Sequence, residues 1–371
     1  MYYENKNESR KYRFIMFVLM IVIISLLSIL IIRLDDSTYD PIVRSEYKAE
    51  KLSTKSEESV DTLVSKNIND IVKCVVGISK LKQVDSTFFL NNNNEEKLGI
   101  GSGVIITDSG YILTNQHVAG NKYSNCFVTL EDGKTYTGTV VWEDSNIDLA
   151  IVKIKAMSLK YIEFGDSDNI TLAQEVYAIG NPIGFEFQRT ITKGIISGIN
   201  RTVKVDEQNY MEDLIQTDAT INEGNSGGAL INQNGELIGI NTVKINDADG
   251  IGFAVPINIV KPILKKLLES GSFEEAYLGL YGYDKEVIPY LDSKLIIKSG
   301  VYIASIPADG PLFYKDVKVG DVILEIDNIK IDKMNDLKKY IYSKKPKDKV
   351  LLKIRRDNND FEIEVELSYK Q

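Results

Sequence analysis

The chain has 371 residues, enough for two or more domains with their own cores. A net charge of −9 argues against nucleic acid as the main partner. Its two cysteines, Cys74 and Cys126, exclude a disulfide framework and leave only a single bridge between them open; no grouping of histidine, cysteine and acid suits a metal, and no cofactor is expected.

In chain order, residues 1–13 are polar and basic, with Lys6, Arg10, Lys11 and Arg13. Residues 14–32 carry no charge, and about twenty apolar residues span a bilayer as a helix. The end of this run offers no small-residue cleavage site, so it is expected to stay as an anchor. The basic flank keeps the N-terminus cytoplasmic and places the rest of the chain outside the cell membrane, since Arg33 alone is too little to reverse that bias. Residues 33–68 read as a polar linker, with Val60, Val64, Ile68, Ile71 and Val72 at helical spacing near its end. Residues 81–97 read as an exposed loop.

Short apolar runs separated by turns then follow. Residues 103–114 are two such runs around Asp108-Ser109-Gly110, a hairpin pattern, and His117 lies just past the second run. Runs at 126–130 and 135–142 flank a Glu131-Asp132-Gly133 turn. A strongly apolar run follows Asp148. Further runs cover 176–182, 190–199 and 230–240. This density of short strands favours a mostly β, barrel-type fold over α/β.

Between these runs lies Gly224-Asn225-Ser226-Gly227-Gly228. Glycines let the backbone turn its N–H groups toward one point, which is what the growing negative charge of a tetrahedral acyl intermediate needs. Ser226 is then a candidate nucleophile; the plainer alternative is a Gly-rich turn with an incidental serine. A serine hydroxyl needs a base, and the only histidine is His117. A carboxylate must orient the imidazole. Asp148, at the mouth of an apolar strand, is preferred, with Asp144 as the rival. The order His, Asp, Ser is that of the chymotrypsin-like double β-barrel.

Taken together, Gly101-Ser102-Gly103, Leu113-Thr114-Asn115-Gln116-His117-Val118, Asp148-Leu149-Ala150, Gln216 through Gly228, Gly239-Ile240-Asn241-Thr242 and Gly250 through Pro256 resemble the HtrA (Deg) family of serine proteases. The resemblance implies His117, Asp148 and Ser226 as the triad. It implies an oxyanion hole from the N–H groups of Gly224, Asn225 and Ser226, and a substrate pocket flanked by Ile240, Asn241 and Thr242. No acid is offered there, so a small or medium aliphatic side chain is expected before the cut bond. Glu223 departs from the family, which more often has Pro or Arg there, and adds a negative charge beside the hole. Asn225 cannot form the ion pair with a new N-terminal amine that cleavage-activated relatives of this fold use, so loop rearrangement is the expected switch. Asp218 is open to a structural or a specificity role.

Residues 257–270 read as a helix, regular only from Pro262 onward and ended by Gly271. Beyond it the chain resembles a PDZ module: 320–327 its core strand, 331–342 its long helix, and Tyr277-Leu278-Gly279-Leu280 the loop that grips a peptide C-terminus. Residues 281–298 are longer and more charged than that pattern leads one to expect. The expected organisation is a cytoplasmic segment (1–13), a transmembrane anchor (14–32), a linker (33–68), a protease domain (69–270) and a PDZ domain (271–371). The resemblance implies an ATP-independent endopeptidase acting on unfolded or damaged polypeptides, binding peptide C-termini at the PDZ domain and assembling as a homotrimer. A catalytically silent scaffold or holdase of the same fold is the alternative.

Overall fold

A computed structural model of the protein describes residues 14–27, 68–81, 98–181, 190–205, 210–222, 224–242, 250–291 and 295–370. The chain divides into two units, Met1–Glu57 and Glu58–Gln371. In the first, 14–27 are helical with exposed side chains. Among the described residues no helix is long and apolar enough to cross a membrane, and 28–32 of the expected anchor, like most of the linker and the 82–97 loop, lie outside them.

In the second unit, β1 (Val75–Leu81), β2 (Leu98–Ile105), β3 (Tyr111–Thr114), β4 (Asn125–Thr129), β5 (Thr135–Asp144) and β6 (Leu149–Ile154) form a closed antiparallel barrel in the order β1-β2-β3-β6-β5-β4. The alternation along β5 explains its orientation: Gly138, Val140, Trp142 and Asp144 are buried while their neighbours are not. The predicted Asp108–Gly110 turn joins β2 to β3, with Gly110 at φ +92°. A second barrel runs β10-β11-β12-β9-β8-β7, built from β7 (Glu175–Gly180), β8 (Thr190–Lys204), β9 (Tyr210–Thr217), β10 (Ala229–Asn232), β11 (Leu237–Thr242) and β12 (Gly252–Pro256). β8 runs past the expected end at 199 because its outer half pairs with β9 through three register shifts.

Each barrel has its own apolar core, and a third cluster lies between them. It packs Leu113, Leu149 and Ile151 of the first barrel with Ile179, Ile231 and Ile240 of the second. This contact fixes the relative placement of the three loops that leave β3, enter β6 and enter β10, which carry His117, Asp148 and Ser226.

After β12, a 3-10 turn (Ile257–Ile259) leads into the helix Lys261–Ser270, with Pro262 in its first turn and Gly271 closing it in the left-handed conformation. The remaining chain forms β13 (Ala276–Tyr277), β14 (Tyr281–Tyr283), β15 (Val301–Ser305), β16 (Val322–Ile326), β17 (Ile329–Lys330), the helix Met334–Ser343, β18 (Lys349–Arg356), β19 (Asn359–Glu366) and β20 (Ser368–Tyr369). The main sheet is ordered β14-β15-β16-β18-β19. The charged 281–298 stretch supplies β14 and a short helix, Ile288–Leu291.

This third module is docked on the first barrel by aromatic and ionic contacts. Trp142, Phe273 and Tyr342 meet edge to face at centroid distances of 5.9–6.5 Å. Lys338 Nζ donates to Asp144 Oδ2 at 3.0 Å, and the Tyr342 hydroxyl donates to the same oxygen. Burial alone would raise the Asp144 carboxyl; the Lys338 and Lys370 charges and the Tyr342 hydroxyl outweigh it and hold it well below the usual carboxylate range. Asp144 is thereby removed as a partner for His117. Both cysteines are buried free thiols, raised by burial to about 11.

Candidate active site

His117 lies in a single helical turn, Gln116–Ala119, directly after β3. Its Nδ1 is 2.8 Å from Asp148 Oδ2 and 2.9 Å from Oδ1, and its backbone N–H donates to Oδ1 at 3.1 Å. Asp148 is fully buried, and at φ +55° it adopts a left-handed conformation that side chains generally resist. The cage around it maintains that conformation. Its carbonyl accepts the Asn115 side-chain amide (2.9 Å) and the Gln116 N–H (3.2 Å). Its Oδ2 accepts the Thr242 hydroxyl at 3.0 Å from the other barrel. A carboxylate facing Nδ1 favours the tautomer with the proton on that nitrogen, leaving Nε2 as an acceptor.

The loop bearing Ser226 sits against the first barrel. Ser226 is 5% exposed, and its carbonyl accepts the Ser102 N–H at 2.8 Å. A Cβ on Gly227, at φ +81°, would stand 2.1 Å from Ser102 O and 2.3 Å from Thr114 Oγ1, so only glycine allows this approach. Thr114 is three residues before His117, which places the serine loop and the histidine turn side by side. Among the described residues no hydrogen bond joins the Ser226 hydroxyl to the imidazole, and none occupies the N–H of Gly224 or of Ser226.

Two expectations are revised by the geometry. The Asn225 N–H donates to Asn222 O at 3.0 Å, so it is engaged within the loop and does not line an oxyanion hole with Gly224. Its side chain reaches Thr220 O at 3.3 Å. Ile240, Asn241 and Thr242 are buried: Ile240 in the inter-barrel core, Asn241 Nδ2 on Ala229 O at 3.0 Å, Thr242 on Asp148. Their side chains brace the site from below and do not wall a pocket. Asp218 accepts the Ile195 N–H at 2.6 Å, a structural role. Glu223 lies outside the described residues. Sequence alone does not reveal the contacts of Ser102 and Thr242: both stand inside the family motifs, but nothing local shows which distant group each meets.

Tyr277-Leu278-Gly279-Leu280 borders a cavity of about 430 Å³ between the third module and the barrels. Leu278 and Leu280 are buried in the module's core, and Gly279, at φ +83°, packs on Gly310. Leu337 and Ile341 of the long helix, and Tyr210 and Glu212 of β9, complete the cavity. Among the described residues no grouping of His, Cys, Asp and Glu could hold a metal.

Residues 101–240 match the trypsin-like peptidase domain family and 236–367 the PDZ domain family, which with the double barrel makes this a trypsin-like peptidase carrying a PDZ domain. The PDZ match begins one residue before β11, which together with β12 belongs to the second barrel. The chain is 36% identical over 338 residues to "Serine protease Do-like HtrA" of Bacillus subtilis (strain 168), across 85% of this chain and 75% of that protein. It is 35% identical over 352 residues to the protein of the same description from Lactobacillus helveticus, across 85% and 84%. Among solved structures it resembles "HtrA-type protease AlgW with tripeptide" at a TM-score of 0.61 and 31% identity, covering 84% of this chain and 98% of that one. The chain belongs to the HtrA family of serine proteases and is a serine endopeptidase.

Proposed function

We propose that the enzyme cuts polypeptides through an acyl-enzyme formed on Ser226, with His117 as general base and Asp148 as its orienting carboxylate. The observation that carries this reading is the 2.8 Å contact of the lone imidazole with a fully buried carboxylate, beside the Gly224–Gly228 loop that bears Ser226. His117 Nε2 takes the Ser226 proton as Oγ bonds to the peptide carbonyl carbon. The N–H groups of Gly224 and Ser226 stabilise the oxyanion. His117⁺ then protonates the departing amine, and water repeats the sequence on the ester. The serine–histidine hydrogen bond forms in the substrate complex; in unliganded sites such bonds are commonly long.

The substrates are unfolded or damaged polypeptides outside the cytoplasm, cut without ATP, with a small or medium aliphatic residue before the cut bond. The apolar 14–32 run anchors the enzyme in the cell membrane, and the protein works as a homotrimer in protein quality control. The cavity beside Tyr277–Leu280 receives peptide C-termini; the solved structures of "HtrA-type protease AlgW with tripeptide" and "HtrA-type protease AlgW with decapeptide" support a peptide site in this architecture. Digestion of casein by the soluble part, beside Ser226→Ala and His117→Ala, tests the reading. Both variants should lose activity to a similar degree, because the triad acts as a unit. Equal digestion by wild type and Ser226→Ala removes the assignment.

A further inference from the structure

We propose that Ser102 is a positioning residue for the oxyanion loop: it holds the two carbonyls that flank Asn225 and so aims the N–H groups of Gly224 and Ser226. The inference rests on the nucleophile reading above. Peptide units are planar, so one held at both its C=O and its N–H cannot rotate. The 224–225 unit is held in this way: Gly224 O accepts the Ser102 hydroxyl at 2.5 Å, and Asn225 N–H donates to Asn222 O at 3.0 Å. So is the 226–227 unit: Ser226 O accepts Ser102 N–H at 2.8 Å, and Gly227 N–H donates to Asn241 O at 2.9 Å. Ser102 supplies the clamp on the carbonyl of both. The two N–H groups left over, of Gly224 and Ser226, are the pair assigned to the oxyanion.

Ser102 is itself fixed. It is fully buried in β2, and its carbonyl accepts the Thr114 hydroxyl at 2.6 Å. Its Oγ accepts the Asn181 N–H at 2.7 Å. A hydroxyl has one proton to give; with Asn181 on a lone pair, that proton is directed at Gly224 O. Alanine at this position leaves the buried Gly224 O and the half-buried Asn181 N–H without this partner, while the backbone clamp on Ser226 survives. The Ser102 side chain makes no hydrogen bond to His117 or Asp148, so the substitution acts on the loop and on the neighbouring Asn181 N–H and leaves the contacts of the imidazole and its carboxylate in place.

Ser102→Ala should lower kcat on a short peptide substrate roughly 10- to 100-fold, less than the 10²–10³ of losing a donor outright. KM should stay near wild type. Affinity for a peptide aldehyde, whose adduct with Ser226 carries the oxyanion, should fall in parallel with kcat, whereas affinity for the cleaved product peptide should not change. Ser102→Cys, with a weak S–H donor, should fall between the two. A folded Ser102→Ala or Ser102→Cys enzyme with wild-type kcat and aldehyde affinity overturns the proposal, as does a loss of kcat with aldehyde binding intact. If the alanine variant does not melt cooperatively, the cysteine variant decides. Failure of the underlying nucleophile reading shows separately, as digestion retained by Ser226→Ala.

Discussion

At the scale of single residues, the account turns on how Asp148 is held. It has a donor on each side, His117 from its own barrel and Thr242 from the other, and no water-exposed surface. Asp148→Asn preserves shape but favours the wrong imidazole tautomer, and should lower kcat by about 10⁴ with folding intact. Thr242→Val removes one hydrogen bond to a buried charge, worth about 1.5–3 kcal/mol, so kcat should fall roughly 10- to 100-fold while KM holds. A Thr242→Val enzyme with full turnover would show that Asp148 is oriented without it. The histidine was legible in the sequence because the chain has only one. The choice of Asp148 over Asp144 was legible from the apolar strand that follows it. The partnership with Thr242 was not, because it joins residues 94 positions apart across two barrels, and no local pattern encodes such a contact.

At the scale of elements, short strands and their turns were readable from alternation and from Gly and Asp placement, as β5 and the Asp108–Gly110 turn show. Closure of each barrel was not, since pairings such as β1 with β4 depend on non-local register. The docking of the long PDZ helix on the protease was equally hidden. It presents Lys338 to a buried Asp144, and removing one partner of a buried pair leaves a charge uncompensated. Lys338→Ala should therefore destabilise the unit by about 3 kcal/mol, near the lower end for such pairs because Tyr342 remains, measurable by urea denaturation. A second contact titrates. The Asp284 N–H donates to Glu212 Oε1 at 3.2 Å. Burial, with the Asp284 charge next, pushes the Glu212 carboxyl well up; burial raises Asp284 too, Asp213 and Glu286 adding while Met334 N–H and Lys333 oppose. The folded protein thus keeps protons that the unfolded chain releases above the ordinary carboxylate range. Their contribution to stability is complete below that range and is lost as pH climbs through the raised folded values. Glu212→Gln, neutral throughout, should flatten the fall of Tm with rising pH. Parallel Tm curves for the two proteins would contradict this.

At the scale of the whole molecule, three modules divide the work: two barrels pack through a shared apolar cluster that sets the loops of His117, Asp148 and Ser226 against one another, and the PDZ module closes a cavity with β9 of the second. Chain order carried this organisation in the sequence, because the His, Asp and Ser motifs and the glycine-bounded helix before the PDZ region fall at fixed points along it. The proposed anchor predicts that full-length protein stays with membranes through an alkaline carbonate wash, and that a chain lacking 1–32 is released. Release of both would remove the anchor. The central claim, that Ser226 is the nucleophile activated by His117, is tested most directly by labelling the active enzyme with a fluorophosphonate and mapping the adduct by mass spectrometry. The account predicts one adduct, on Ser226, absent after His117→Ala. An adduct on another serine, or undiminished labelling in His117→Ala, would contradict it.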